Sequence, residues 1–156
     1  MVLNMNKPKK ARIFATISLL MTATASQAEP LGRWWSGWAM GTSEYGYTDG
    51  AGNRVLISCS DDTGTSISVY FSGRPSRPGD NIVFSVDGDR VEFVGDDLGQ
   101  ATTASRVDSE NFKYLWAKMR QGTRLQVFAA GRSASYPLTG SAKALEARPC
   151  TTDFDR

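Results

Sequence analysis

Short runs of alternating apolar and polar residues, a tight-turn dipeptide between two of them and one stretch of helical period past mid-chain predict a mainly β protein. The architecture they suggest is a small antiparallel β-sandwich of seven or eight strands with one central and one short C-terminal helix. The helices are expected to cover an edge or an end of the sheets.

The first 28 residues read differently from the rest. Lys7, Lys9, Lys10 and Arg12 form a basic region, Ile13 to Ala23 is mostly apolar, and Ser26-Gln27-Ala28 offers the small residues that a signal peptidase reads. The apolar run is well short of the ~20 residues that span a bilayer. A signal peptide over 1–28, cleaved after Ala28, is therefore expected, followed by a single β-rich domain over 29–156. This implies a periplasmic or secreted location with no stable membrane anchor after cleavage. The segment holds four of the 18 basic residues and none of the 16 acidic ones, so residues 29–156 carry a net charge of −2. The basic balance of the whole chain is thus no reason to expect nucleic acid as a partner.

In "WWSGWAM" the alternation places Trp34, Ser36, Trp38 and Met40 on one face of a first strand. "RVLISCS" and "TSISVYFS" follow, parted by Asp61-Asp62-Thr63-Gly64, whose Asp and Gly residues suit a turn. In "NIVFSVDGDRVEFVG", Asp87-Gly88 between two alternating segments is the favoured composition of a type I′ hairpin. Asp87 and Asp89 also resemble the start of a calcium loop, but the later ligands and terminal Glu that such a loop needs are missing. "DSENFKYLWAKMRQG" reads as a helix: Asp108 or Ser109 caps its first turn, Phe112, Leu115, Trp116 and Met119 recur at helical spacing, and Gly122 ends it. Lys113, Lys118 and Arg120 lie off that stripe, as a solvated basic face. "TRLQVFAAG" and "ASYPLTG" read as two further strands, and "SAKALEARPC" as a short last helix from near Ser141, ended by Pro149. Residues 29–32 and the tail "TTDFDR" are expected to lie outside the packed body.

The chain has two cysteines, Cys59 and Cys150. In an exported protein pairing is the default. A bridge closes a loop of about 92 residues, worth about 4 to 5 kcal/mol in the chain-entropy model, and ties the last helix to an early strand. A nucleophilic Cys59 would want a base or cation to lower its pKa, usually histidine. The chain has no histidine at all.

That absence removes the Ser-His-Asp arrangement, the usual zinc sites and histidine acid-base catalysis. There is no phosphate-binding glycine loop, no CxxC pair and no dinucleotide fingerprint, so no cofactor or metal is expected. Asp61 with Asp62 and Asp96 with Asp97 are carboxylate pairs of the kind glycoside hydrolysis needs. Neighbours on an extended chain point to opposite faces, however, and both pairs are followed closely by Gly, which reads as turn chemistry. No enzymatic activity is expected.

Binding features remain. Trp34, Trp35, Trp38, Tyr45 and Tyr47 fall within fourteen residues. Trp34 and Trp38, on one strand face, are expected in the core. Trp35, Tyr45 and Tyr47 are the candidates for exposure, where aromatics stack on sugars or anchor a protein partner. "SGRPSRPGD" forms a projecting loop in which Pro75 and Pro78 stiffen the chain beside Arg74 and Arg77. Such a loop suits an anionic surface such as a carboxylate-bearing protein cleft.

The order of landmarks resembles the VasI family of periplasmic proteins associated with type VI secretion. These landmarks are Trp34 and Trp38, then "LISCSDDTGTSISVYF", then "VFSVDG" and the helix around Phe112 and Leu115, and last "YPLTGSAKALEARPC". The last segment is also loosely similar to invasion-associated locus B proteins. The resemblance implies an exported, non-catalytic accessory domain, linked to a secretion or virulence apparatus, with Cys59 and Cys150 in structural roles. The expected partner is an envelope or secreted protein. The alternative is an inhibitor or immunity protein against a cell-wall hydrolase or toxin, suggested by a small exported β scaffold with a stiff basic loop.

Overall fold

The computed structural model describes residues 29–156; the expected signal peptide over 1–28 lies outside the described residues. In chain order, β1 (Trp35–Ala39), β2 (Thr42–Thr48), β3 (Arg54–Ser60), β4 (Gly64–Phe71) and β5 (Arg74–Pro75) form a meander. β6 (Asn81–Val86) and β7 (Asp89–Val94) form a hairpin, followed by β8 (Ala101–Thr102) and α1 (Arg106–Gln121). β9 (Arg124–Ala129) and β10 (Arg132–Pro137) form a second hairpin, and α2 (Ser141–Ala144) and a 3-10 turn (Asp153–Asp155) close the chain. One sheet has the order β1-β2-β3-β4-β5, with β8 also on β4; the other has the order β10-β9-β6-β7. Every pairing between these strands is antiparallel. This is the small β-sandwich the alternation predicts, with more strands because the two-residue β5 and β8 are too short to show a period.

Four of its hairpins share one solution. Met40-Gly41, Ser72-Gly73, Asp87-Gly88 and Ala130-Gly131 each connect directly paired residues, such as Ala39 with Thr42 and Val86 with Asp89. In each, both turn residues have positive φ, from 47° to 51° at the first and from 73° to 100° at the glycine. That is the type I′ geometry, whose twist matches the flanking strands. Asp87 does more than turn. Its carboxylate accepts from Thr123 N (2.8 Å), Thr123 Oγ1 (2.7 Å) and Arg124 N (3.0 Å), fixing the start of β9.

Apolar side chains from both sheets, among them Val55, Ile57, Ile82, Phe84, Leu125 and Val127, are essentially fully buried. The apolar stripe of α1, from Phe112 to Met119, joins this core. Trp116 meets Tyr45 of β2 edge-on at 5.0 Å between ring centroids. The cap of α1 is Ser105 rather than Asp108 or Ser109: Ser105 Oγ accepts from Asp108 N at 3.0 Å. Gly122 ends the helix as expected, donating to Lys118 O at 2.7 Å. Any side chain there would collide with Val86. α2 stops at Ala144, well before Pro149.

Both ends of the described stretch are tied to the body, against expectation. Glu29 pairs with Arg54 at 2.5 Å, and Gly32 N donates to Thr48 O at 2.8 Å. The tail runs back over β4 and α1. Thr65 Oγ1 donates to Thr151 O (2.7 Å), Thr65 N to Asp153 Oδ1 (3.0 Å) and Asp153 N to Thr103 Oγ1 (2.9 Å). Thr152, fully buried, meets Ser109 Oγ at 2.7 Å. Hydroxyls within reach of main-chain groups make this polar burial tolerable.

Three surface carboxylates are held below their ordinary range: Asp155 by Lys113 and the Thr152 hydroxyl, Asp87 by the Thr123 hydroxyl and amide, and Asp89 by Lys118. A folded pKa below the unfolded one gives stability that is present above the unfolded value, near 4, and lost as pH falls through the folded value. Urea unfolding at pH 7, 4 and 3 should show stability falling with acid. The triple variant Asp87→Asn, Asp89→Asn, Asp155→Asn should show a flatter dependence; an unchanged slope would refute the assignment.

Candidate functional site

Among the described residues the first sheet ends at β1, which pairs on one side only. Trp34, just before it, is buried, and its Nε1 donates to Pro137 O at 2.7 Å. Trp38 lies on the same strand face but is 73% exposed, and Met40 is 98% exposed. The expectation that Trp38 is core is therefore overturned: β1 starts over the core and then overhangs it. Tyr45 and Tyr47 are corrected in the opposite sense, at 4% and 6% exposure. They alternate with Glu44 and Gly46, so both face inward, Tyr45 onto Trp116 and Tyr47 onto Tyr136. Burial, then the neighbouring Glu146 carboxylate, pushes the Tyr45 phenol above its usual range.

Trp35 stays at the surface, partly covered. Its ring lies flat along β1 and β2: a Cβ added at the paired Gly46 would sit 3.0 Å from it, and one at Gly37 3.5 Å. Its indole N–H is shielded from water and has no acceptor among the described residues. Arg74 and Arg77 are both exposed, but the projecting loop expected around them is shorter: Arg74 pairs with Phe71 in β5, and Arg77 follows on a segment anchored by the Ser76 hydroxyl to Gly99 O at 2.7 Å. They lie at the β5 end of the sheet, four strand spacings or roughly 19 Å from β1. The predicted binding residues therefore fall into three places: Trp35 on one edge, the tyrosines in the core and the arginines beyond the other edge.

Two concavities meet at Trp38. The larger, about 990 Å³, runs along Trp34 to Ala39 and is walled by Pro30 and by Gly140 and Lys143 at the start of α2. The smaller, about 250 Å³, lies between Trp38, Tyr45, Glu146 and Arg148 over the Cys59–Cys150 disulfide, whose Cα atoms are 6.0 Å apart. Arg33, Glu44 and Lys143 line the larger one without an ion-pair partner among the described residues. The carboxylate pairs are occupied or exposed in turns. Asp96 Oδ1 accepts from Leu98 N and Gln100 N at 2.9 and 2.8 Å, and Asp61 and Asp62 are exposed in the turn after β3.

The clearest sign of the open edge in the sequence is an absence of charge. No charged residue lies between Arg33 and Glu44, whereas β5 is Arg-Pro, β7 carries Asp89, Arg90 and Glu92, and β10 has Arg132 and Pro137. Charges and prolines are the usual guards of sheet edges; β1 has none.

Fold and site define a two-sheet β domain tied by one disulfide, with an unguarded sheet edge at β1 and, among the described residues, no helix long and apolar enough to cross a membrane. The YfjT family model matches residues 32–145, most of the chain, and the chain belongs to that family. The match takes in β1 to α2 and ends before Cys150. No curated protein and no solved structure matches the chain.

Proposed function

We propose that this YfjT-family domain is an exported, non-catalytic binding protein whose working surface is the β1 edge and the groove beside it. The observation that carries the reading is the unguarded edge strand with Trp38 standing out of it. Exposed apolar surface at an open strand edge is costly to leave uncovered and marks an interaction site. The N-terminal basic, apolar and small-residue pattern and the disulfide support export to an oxidising compartment. The landmarks shared with VasI proteins support a partner in a secretion or virulence apparatus. The test is capture of envelope proteins by the immobilised protein. Trp38→Ala is expected to reduce capture at least tenfold with stability within about 0.5 kcal/mol of the parent, since the side chain is mostly exposed. Full capture by Trp38→Ala would sink the proposal.

A second reading, an inhibitor or immunity protein against a cell-wall hydrolase or toxin, is favoured by Arg74 and Arg77. Both are exposed and, among the described residues, without an ion-pair partner, Arg74 in β5 and Arg77 just past Ser76, which ties the segment down. Inhibition of lysozyme or amidase activity that disappears in Arg74→Ala/Arg77→Ala would establish it in place of the first.

A further inference from the structure

The two-residue turn Met40-Gly41 is closed by Ala39 and Thr42, which form the hydrogen-bonded pair at its base. Bonded and non-bonded pairs alternate along an antiparallel ladder. Ala39, Gly37 and Trp35 therefore direct their N–H and C=O groups at β2, while Ser36 and Trp38 direct theirs outward, to the open edge. Beside that edge lies the groove of about 990 Å³, bounded across from the strand by α2. Its volume is at the upper end of the range for ligand pockets, and it follows the strand lengthwise.

We infer that an extended, acidic segment of a partner protein adds to β1 as a further strand, lying in the groove between β1 and α2. The inference rests on the reading of the β1 edge as the working surface. Main-chain bonds to Ser36 and Trp38 supply affinity, and the indoles of Trp35 and Trp38, on opposite faces of β1, flank alternate side chains of the incoming strand. Charge selects the occupant. Among the described residues, Arg33 and Lys143 are unpaired cations at the groove and Glu44 its one unpaired acid, while Glu29 is engaged by Arg54 and Thr48. A second copy of this chain would bring the same cations to the same groove, so a different, acidic chain is the better complement.

The probe is a displayed library of random twelve-residue peptides, selected on the purified protein with its disulfide intact. Enriched peptides are expected to carry Asp or Glu, and to slow amide exchange of Ser36 and Trp38 at least tenfold while leaving Gly37, already bonded to β2, unchanged. Ser36→Ala, which keeps the N–H, should bind as the parent does. Ser36→Pro, which deletes an outward donor without touching the β1–β2 ladder, should bind at least tenfold more weakly, and Lys143→Glu likewise. No enrichment, or protection elsewhere than β1, overturns strand addition. Binding lost in Trp38→Ala but kept in Ser36→Pro overturns it too, and leaves the β1 surface standing. Binding that survives both substitutions overturns the surface itself.

Discussion

Replacing Cys59 and Cys150 together by Ser is expected to lower the unfolding free energy by about 2 to 5 kcal/mol. The bridge spans a sequence separation of 91 residues, joining β3 to the segment after α2. Without it, the unfolded chain regains the freedom of a long loop, which is the larger part of the effect in the chain-entropy model. The folded state is expected to keep its architecture, because the tail beyond Cys150 is also held by Thr65, Thr103 and Ser109. Urea unfolding measures the loss. Amide exchange locates it: protection of Asp153, whose N–H reaches Thr103, should fall further than that of Ile67 in the middle of β4. A loss below about 1 kcal/mol would mean that the bridge is not what ties the two halves of the chain.

Trp116→Ala is expected to cost about 3 to 5 kcal/mol. The side chain is 2% exposed and lies where α1, the first sheet and the segment after α2 meet. It packs edge-on to Tyr45 and tilted against Phe112 at 5.8 Å, and its Nε1 donates to Glu146 O at 2.9 Å. Truncation opens a cavity among these groups and strips the Glu146 carbonyl of a donor. Trp116→Phe keeps most of the apolar contact and loses the hydrogen bond, so about 1 to 2 kcal/mol is expected there. Comparable losses in both variants, measured by the same unfolding curves, would move the weight from packing to the hydrogen bond.

The strands that alternate Val, Ile and Phe with polar residues, the Asp87-Gly88 hairpin and the stripe of α1 were legible because each satisfies one local rule. The other three type I′ turns use Met, Ser and Ala before the glycine, residues with no preference for positive φ, and pairing across the sheet imposes that conformation on them. The core roles of Tyr45 and Tyr47 were masked because β2 places Ser43 and Glu44 before them and Gly46 between them, leaving two tyrosines to carry the inward face. Trp38 shows the limit of alternation. Period 2 places it correctly on the face of Trp34, but says nothing of how far the opposing layer extends beneath it. The packed tail was hidden for another reason. The Thr152 hydroxyl is buried between the Ser109 hydroxyl and the Asp155 carboxylate, to which it donates, and hydropathy cannot anticipate polar burial of that kind.

The most direct test of the β1 edge as the working surface is photo-crosslinking in cells that make the protein. A photoreactive amino acid replaces Trp38 in one strain and Arg77 in another, and the adducts are read by mass spectrometry. A discrete protein adduct is expected from position 38 and none from position 77. An adduct from position 77 alone would contradict it and place the working surface at the opposite edge of the sheet.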